Sequence, residues 1–179
     1  MKYPFIHLRT QSSYSLAESA LKINKLVNLA KINNMPAIAL VDNNNMFGAL
    51  EFSIECINNG IQPILGTSIN FLDVKLDGIP SQLNFLVKDE KGYKNLLYLS
   101  SLSHTSENNP IGIYADDLKK HTDGLICFIG GEFNPILFLH LQNKNSLIDK
   151  TILFFKDLYK DNILFEIQPI NDPKIDEFE

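Results

Sequence analysis

Residues 37 to 41, Ala-Ile-Ala-Leu-Val, constrain the fold of this chain more than any other stretch, because five consecutive apolar residues leave no polar side chain for an exposed face. Runs of this length and kind belong to parallel strands covered on both sides. The flanks agree with that reading. Upstream, Ile23, Leu26, Val27 and Ala30 repeat at helical spacing inside a helix predicted from Ser19 to Asn33, with Ser19 as N-cap and Asn33-Asn34 before Met35-Pro36 as the stop. Downstream, Asp42 to Asn45 is a polar turn. Met46 to Asn58 then shows helical periodicity through Phe47, Leu50, Ile54 and Ile57, closed by Gly60. Phe5 to Leu8 reads as a first short strand and Pro63 to Phe71 as a third. The order βαβαβ implies parallel strands joined by right-handed crossovers.

The second part continues the alternation less regularly. Strands are predicted at Leu83 to Val87, Gly124 to Ile129 and Ile163 to Ile167, and helices at Glu90 to Ser103 and Ser146 to Tyr159. Asp77-Gly78 is a turn signal, Thr105 to Pro110 reads as a surface loop, and Asp172-Pro173 resembles an N-cap followed by proline at the first helical position. About six strands result, short of the eight of a closed βα barrel. The expectation is one α/β domain, the front portion of a longer barrel whose missing strands leave an open sheet edge.

Composition narrows the function classes. At 179 residues and 45% hydrophobic content the chain can bury one sizeable core. It has no apolar run of membrane-spanning length and no basic, apolar and small-residue blocks of a signal peptide, so a cytoplasmic location without membrane contact is expected. Cys56 and Cys127 lack a CxxC partner and read as buried small hydrophobes. A formal net charge of −5 makes this chain alone a poor duplex binder, since that affinity comes from lysines and arginines on phosphates. Its lysines, among them Lys22, Lys25, Lys31, Lys88, Lys91 and Lys94, read as solvated helix faces.

In parallel βα architectures functional groups gather where strands end, which brings Arg9, Asp42-Asn43, Thr67-Ser68 and Gly130-Gly131 forward as candidates. Nucleotide loops of the GxxxxGK[ST] or GxGxxG type are absent, as are HxH and HExxH spacings and a GxSxG elbow for Ser13 or Ser15. The string GGEF at 130 to 133 follows a predicted strand and carries no cyclase setting. His7, His121 and His140 read as structural and His104 as exposed.

The stretch from His7 to Ser19, HLRTQSSYSLAES, has the frame of a metal-binding motif. It resembles the opening of a PHP (polymerase and histidinol phosphatase) domain, H-x-H-T-x-x-S-x-x-D-G, of the kind found at the N-terminus of the bacterial DNA polymerase III alpha subunit. In this frame the two histidines fall on Arg9 and Gln11 and the acid on Glu18. Where such relatives carry Asp-His after the second strand, this chain has Asp42 and Asn43; KPIxGxE becomes QPILGTS, ending on Ser68; and EGLIxLSGC becomes DGLICFIGG, with Gly131 at the cysteine position. GYxNL is present as residues 92 to 96, and ILFEIQ at 163 to 168 is similar to FYLEIQ. Framework residues match better than ligands.

The resemblance implies a PHP-type distorted (β/α)7 barrel, here its N-terminal majority with parallel strands and outer helices, spanning 1–179, incomplete at its C-terminal side and followed by polymerase domains. It implies no catalytic residue in this segment, seven vestigial metal positions (Arg9, Gln11, Glu18, Asp42, Asn43, Ser68 and Gly131) and no zinc, manganese or other cofactor, magnesium serving the parent polymerase alone. A guanidinium cannot coordinate a cation, and Asn, Gln and Ser are weak neutral ligands. Arg9 is expected to pair with Glu18 and Asp42. The implied partners are the remainder of the alpha subunit and a proofreading exonuclease subunit, with DNA met only through the full polymerase. Two other readings stand beside this one: a free-standing metal-dependent phosphoesterase or 3′–5′ exonuclease of the same superfamily, and a free-standing interaction protein.

Overall fold

The apolar run becomes strand β1 (Ala37–Asn43), buried continuously from Ala37 to Asp42. It pairs in parallel with β2 (Gln62–Phe71), in a register from Ala37 opposite Gln62 to Asn43 opposite Ser68. The computed structural model describes residues 4–72, 81–105 and 111–167. The chain divides within β2 into two units, Met1–Ser68 and Ile69–Glu179.

In the first unit, α1 (Ile23–Ile32) buries Ile23, Leu26, Val27 and Ala30, the four residues its periodicity selects. They pack with Ile38 and Leu40 of β1 and with Phe52 and Cys56 of α2 (Ala49–Asn58). Each fully buried Leu, Ile or Phe contributes about 1.5–3 kcal/mol relative to exposure. Both helices stop as the sequence indicates. The Met35 N–H reaches the Ala30 carbonyl at 2.9 Å after Asn34 turns left-handed (φ 53°), and the Ile61 N–H reaches Cys56 at 2.9 Å after Gly60. Each helix therefore closes its last carbonyls through the same six-to-one bond.

Three local expectations fail in this unit. Phe5 to Leu8 forms no strand; the segment accepts one hydrogen bond from Ala39 at His7 and another from Val41 at Thr10, two residues apart on β1 but three apart on the segment. That unequal spacing breaks a ladder. Ser19 is not the N-cap of α1, which starts after Lys22, because Ser19 is held in a preceding turn: its N–H donates to the Ser15 carbonyl at 3.1 Å and its hydroxyl to the Gln11 carbonyl at 3.0 Å. The periodic face of α2 is also reversed. Ala49, Phe52 and Cys56 are buried, while Phe47, Leu50, Ile54 and Ile57 are exposed at 76, 72, 51 and 68%. The helix is apolar on both sides, so spacing alone could not choose which side faces the core.

The second unit holds β3 (Ser81–Val87), α3 (Glu90–Thr105), α4 (Ala115–Leu118), β4 (Leu125–Gly130), α5 (Pro135–Leu141), α6 (Asn145–Tyr159) and, after a 3-10 turn, β5 (Ile163–Glu166). The parallel expectation holds for β4 with β5, whereas β3 and β4 are antiparallel. Between those two strands the chain also passes extended at Ile113, which is bridged in parallel to Phe71. β4 alternates buried and half-buried residues, as a strand with one core face should. Phe71 meets Phe155 edge-on at 5.7 Å and Phe85 lies 6.1 Å from Tyr159, filling the centre of the unit.

Helix α5 escaped the sequence reading, although Asn134-Pro135 ahead of an apolar run signals a helix start. The Asn134 side chain accepts from the Ile136 and Leu137 N–H groups at 2.8 and 3.2 Å. His140 lies on this helix, as its apolar surroundings suggest. Among the described residues there are five strands, one fewer than expected, the difference being Phe5 to Leu8. The predicted turn at Asp77-Gly78, the loop from residue 106 to Pro110 and the Asp172-Pro173 helix start lie outside the described residues, while Thr105 closes α3.

Candidate functional site

The candidate site forms where β1 and β2 end side by side, with Asp42 opposite Thr67 and Asn43 opposite Ser68. The loop from Arg9 to Glu18 crosses these ends. Its entry is fixed by Val41 donating to the Thr10 carbonyl at 2.7 Å and by the Thr10 hydroxyl on the Ala39 carbonyl.

Asp42 is 1% exposed, a burial that an ionised carboxylate tolerates only with donors around it. Three donors are supplied. The Ser12 N–H and hydroxyl reach its two oxygens at 2.7 Å each, and the Ser15 hydroxyl reaches it at 2.7 Å. The same Ser15 oxygen accepts from the Asn43 N–H at 3.0 Å, and the Ser12 oxygen accepts from the Tyr14 N–H at 3.2 Å. Below it, the Thr67 hydroxyl lies within reach of the Asp42 and Asn45 carbonyls at 2.7 and 2.9 Å. Ser68 is buried, and its carbonyl accepts from the Asn44 N–H at 2.6 Å.

Glu18, at the exposed rim, is gripped by two carboxamides. Gln11 donates to one oxygen at 3.0 Å and Asn43 to the other at 2.5 Å, while Asn44 donates to the Asn43 side-chain oxygen at 2.8 Å. Arg9 is half-buried two residues before Gln11. The first unit thus brings Gln11, Glu18, Asp42, Asn43 and Ser68 to one strand-end cluster. Serines and carboxamides donate to the two acids, partners that the expectation of an Arg9 pairing did not include. Tyr14, beside this cluster, donates to Glu51 at 3.1 Å, and that hydrogen bond, followed by the charge of Glu51, raises the phenol above its ordinary value.

Gly131 lies in the second unit, in the turn that follows β4. It is buried with φ 75°, a conformation that strains any side-chain-bearing residue, and its carbonyl accepts from Asn134 at 2.6 Å. Its neighbour Gly130 is equally constrained, since an added Cβ would come 2.2 Å from the Glu166 carbonyl oxygen. The position expected to be a vestigial ligand is a turn residue that launches α5.

The serines were the missed residues. Ser12 and Ser15 stand at the Thr and Ser of the motif frame, and that placement was the available signal. Their partner lies about thirty residues away, so no local pattern links them to Asp42. In chemical terms the cluster presents N–H and O–H groups to both acids. A divalent cation needs converging lone pairs, whereas here the Gln11 and Asn43 amides turn their NH2 groups inward onto Glu18. Among the described residues, no three His, Cys, Asp or Glu side chains come together as a metal-holding group.

The PHP domain family matches residues 7–169. The chain belongs to the PHP domain family. Among curated proteins this PHP chain is similar to the DNA polymerase III subunit alpha of Rickettsia felis, at 42% identity over 173 residues, covering 93% of this chain and 14% of that protein. The corresponding subunit of Borreliella burgdorferi is 37% identical over 181 residues, covering 92% of this chain and 15% of that protein. The chain therefore spans about one seventh of the length of these relatives. Among solved structures, an amidohydrolase from Chromobacterium violaceum shares the fold with a TM-score of 0.53 at 11% identity, over 89% of this chain and 84% of that one. The expected PHP-type α/β fold is thereby met. Among the described residues no helix is long and apolar enough to cross a membrane.

Proposed function

We propose that this PHP domain is the N-terminal region of a DNA polymerase III alpha subunit and acts there as a non-catalytic structural module. The lineage rests on 42% identity to such a subunit across nearly the whole chain. The observation that carries the non-catalytic part is the state of Asp42, a buried acid whose oxygens are occupied by Ser12 and Ser15. Water activation on a metal needs open coordination positions and several anionic or imidazole ligands. This cluster offers two acids, each already hydrogen-bonded. The replaced ligands act as struts: Gln11 and Asn43 tie the crossing loop to the end of β1 through Glu18.

In this reading the domain holds no zinc or manganese, and magnesium and the nucleotide-transfer carboxylates belong to the rest of the subunit. DNA is met only through the assembled polymerase, in the cytoplasm. The module buttresses the subunit and offers a surface to a proofreading exonuclease subunit. A free-standing phosphoesterase or exonuclease would need at least four ligands at the strand ends.

Two measurements test this. Intact mass of the native gene product is expected to be several times 20.3 kDa; a product of that small size would contradict the polymerase reading. Hydrolysis of bis(4-nitrophenyl) phosphate with added Mn2+ or Zn2+ is expected to match buffer alone. Turnover abolished by Asp42→Asn would establish the phosphoesterase instead.

A further inference from the structure

Three of the four residues that helical periodicity assigned to the core form an exposed stripe on α2, Leu50, Ile54 and Ile57, spaced four and three residues apart, and the fourth, Phe47, stands exposed in the turn just before the helix. Such spacing makes a continuous apolar seam along one side of a helix. Together with Ala49, Phe52 and Cys56 on the buried side it leaves a narrow polar edge of Glu51, Glu55 and Asn58, so α2 carries more apolar surface than one core-facing stripe requires. We infer that this stripe is a docking surface for the polymerase body of the same polypeptide, a reading that rests on the proposed function.

The size of the stripe chooses the occupant. An aromatic side chain buries about 150–250 Å2, and these four residues together offer on the order of 500 Å2. A stable complex between free partners takes about 800 Å2 from each side, so the stripe is too small to hold a second copy or a separate protein by itself. Tethering on one chain raises the effective concentration to about millimolar and makes such a small patch sufficient. The relatives supply the tether, since the matched region is only 14% of their length. The rim adds a requirement. α2 carries Glu51 and Glu55 and no Lys, Arg or His, so the covering surface is an apolar groove edged by basic residues.

The test uses the full-length subunit carrying Ile54→Cys, with Phe47→Cys as a second probe. Alkylation by iodoacetamide is followed by residue-resolved mass spectrometry in native buffer and in urea. Cys56 serves as the internal control for folding, being buried with its thiol pushed up to about 11, first by burial and then by the charge of Glu55. Both probes are expected to react at least ten-fold more slowly in the native protein than in urea, independently of protein concentration. Near-equal rates would overturn the inference. Protection that grows with concentration would assign the stripe to a second copy, and protection gained only on adding another subunit would assign it to that subunit; either result overturns it too. A native product of about 20 kDa would remove the proposed function and the docking together, whereas a long product with freely reactive probes removes the docking alone.

Discussion

The strand-end cluster of the first unit and the α3–β4 junction of the second both lie under family motifs, yet their residues are held by different forces. At the junction, contact geometry dictates identity. A Cβ on Gly92 would sit 1.7 Å from the Gly124 carbonyl oxygen, and Gly124 itself has φ 74° with its own Cβ position 2.2 Å from an Asp89 oxygen. Asp89 accepts from the Gly92 N–H at 2.9 Å, and the Asn95 amide donates to the Asp123 carbonyl at 2.8 Å. GYxNL and the DGL segment are thus two sides of one backbone contact. At the strand ends, by contrast, Arg9, Gln11, Asn43 and Ser68 stand where the resemblance places ligands, and the loop closes through hydrogen bonds of another kind. A residue recruited for chemistry can be exchanged once its neighbours supply replacement bonds. A residue wedged against backbone cannot.

The largest effect that would break this contrast is at the junction. Gly92→Val is expected to destabilise by about 4 kcal/mol or more, enough to abolish folding, because neither backbone can retreat; a cooperative urea transition near the parent midpoint would show that the contact is soft. Next comes Asp42→Ala, which strands the Ser12 N–H and two serine hydroxyls in a buried setting, with an expected loss of about 2–4 kcal/mol in urea unfolding. Asp42→Asn keeps one acceptor and should cost about half as much. A loss below ~0.5 kcal/mol for Asp42→Ala would mean that the network contributes nothing to stability.

Reversibility sharpens the comparison further. The triple variant Arg9→His, Gln11→His, Asn43→His sets three imidazoles beside Glu18 and Asp42, and zinc titration should then give a saturable isotherm where the parent gives none. Failure of the triple variant to bind would count against these positions as the frame of a metal site. The smallest effect is expected at Lys91 and Asp123, which flank the junction at 2.5 Å with both side chains 69% exposed. The Lys91 hydrogen bond first, and its charge second, hold the Asp123 carboxyl below its ordinary value. Any stability from this pair is therefore present above the ordinary carboxyl range and is lost as pH falls through the lowered value. Lys91→Met should flatten that acidic slope by lowering neutral-pH stability slightly, and leave stability at low pH unchanged. A marked drop at pH 7 would make the pair part of the junction's framework.

How much of this was readable in the chain depends on whether the determining contact was local. Ile23, Leu26, Val27 and Ala30 revealed the buried face of α1 because the rest of that helix is polar enough to break the tie. On α2 the tie was real, and tertiary packing chose Phe52 and Cys56 over Ile54 and Ile57. The strand ends were placed correctly by topology, which put Asp42, Asn43 and Ser68 at one mouth. The partners of Asp42 were not, since Ser12 and Ser15 meet it across about thirty residues of chain. The first strand failed for a similar reason: Phe5 to Leu8 has strand-like composition, but unequal spacing of its two bonds to β1 keeps it irregular.

The central claim is that the strand-end cluster is held by serines and carboxamides in place of a metal. Elemental analysis of the purified protein, paired with its urea midpoint before and after EDTA, tests it most directly. The account predicts less than about a tenth of a zinc or manganese ion per chain and an unchanged midpoint, since no bound ion then contributes to folding. Stoichiometric metal, with a midpoint that falls on chelation and returns when the ion is restored, would contradict it.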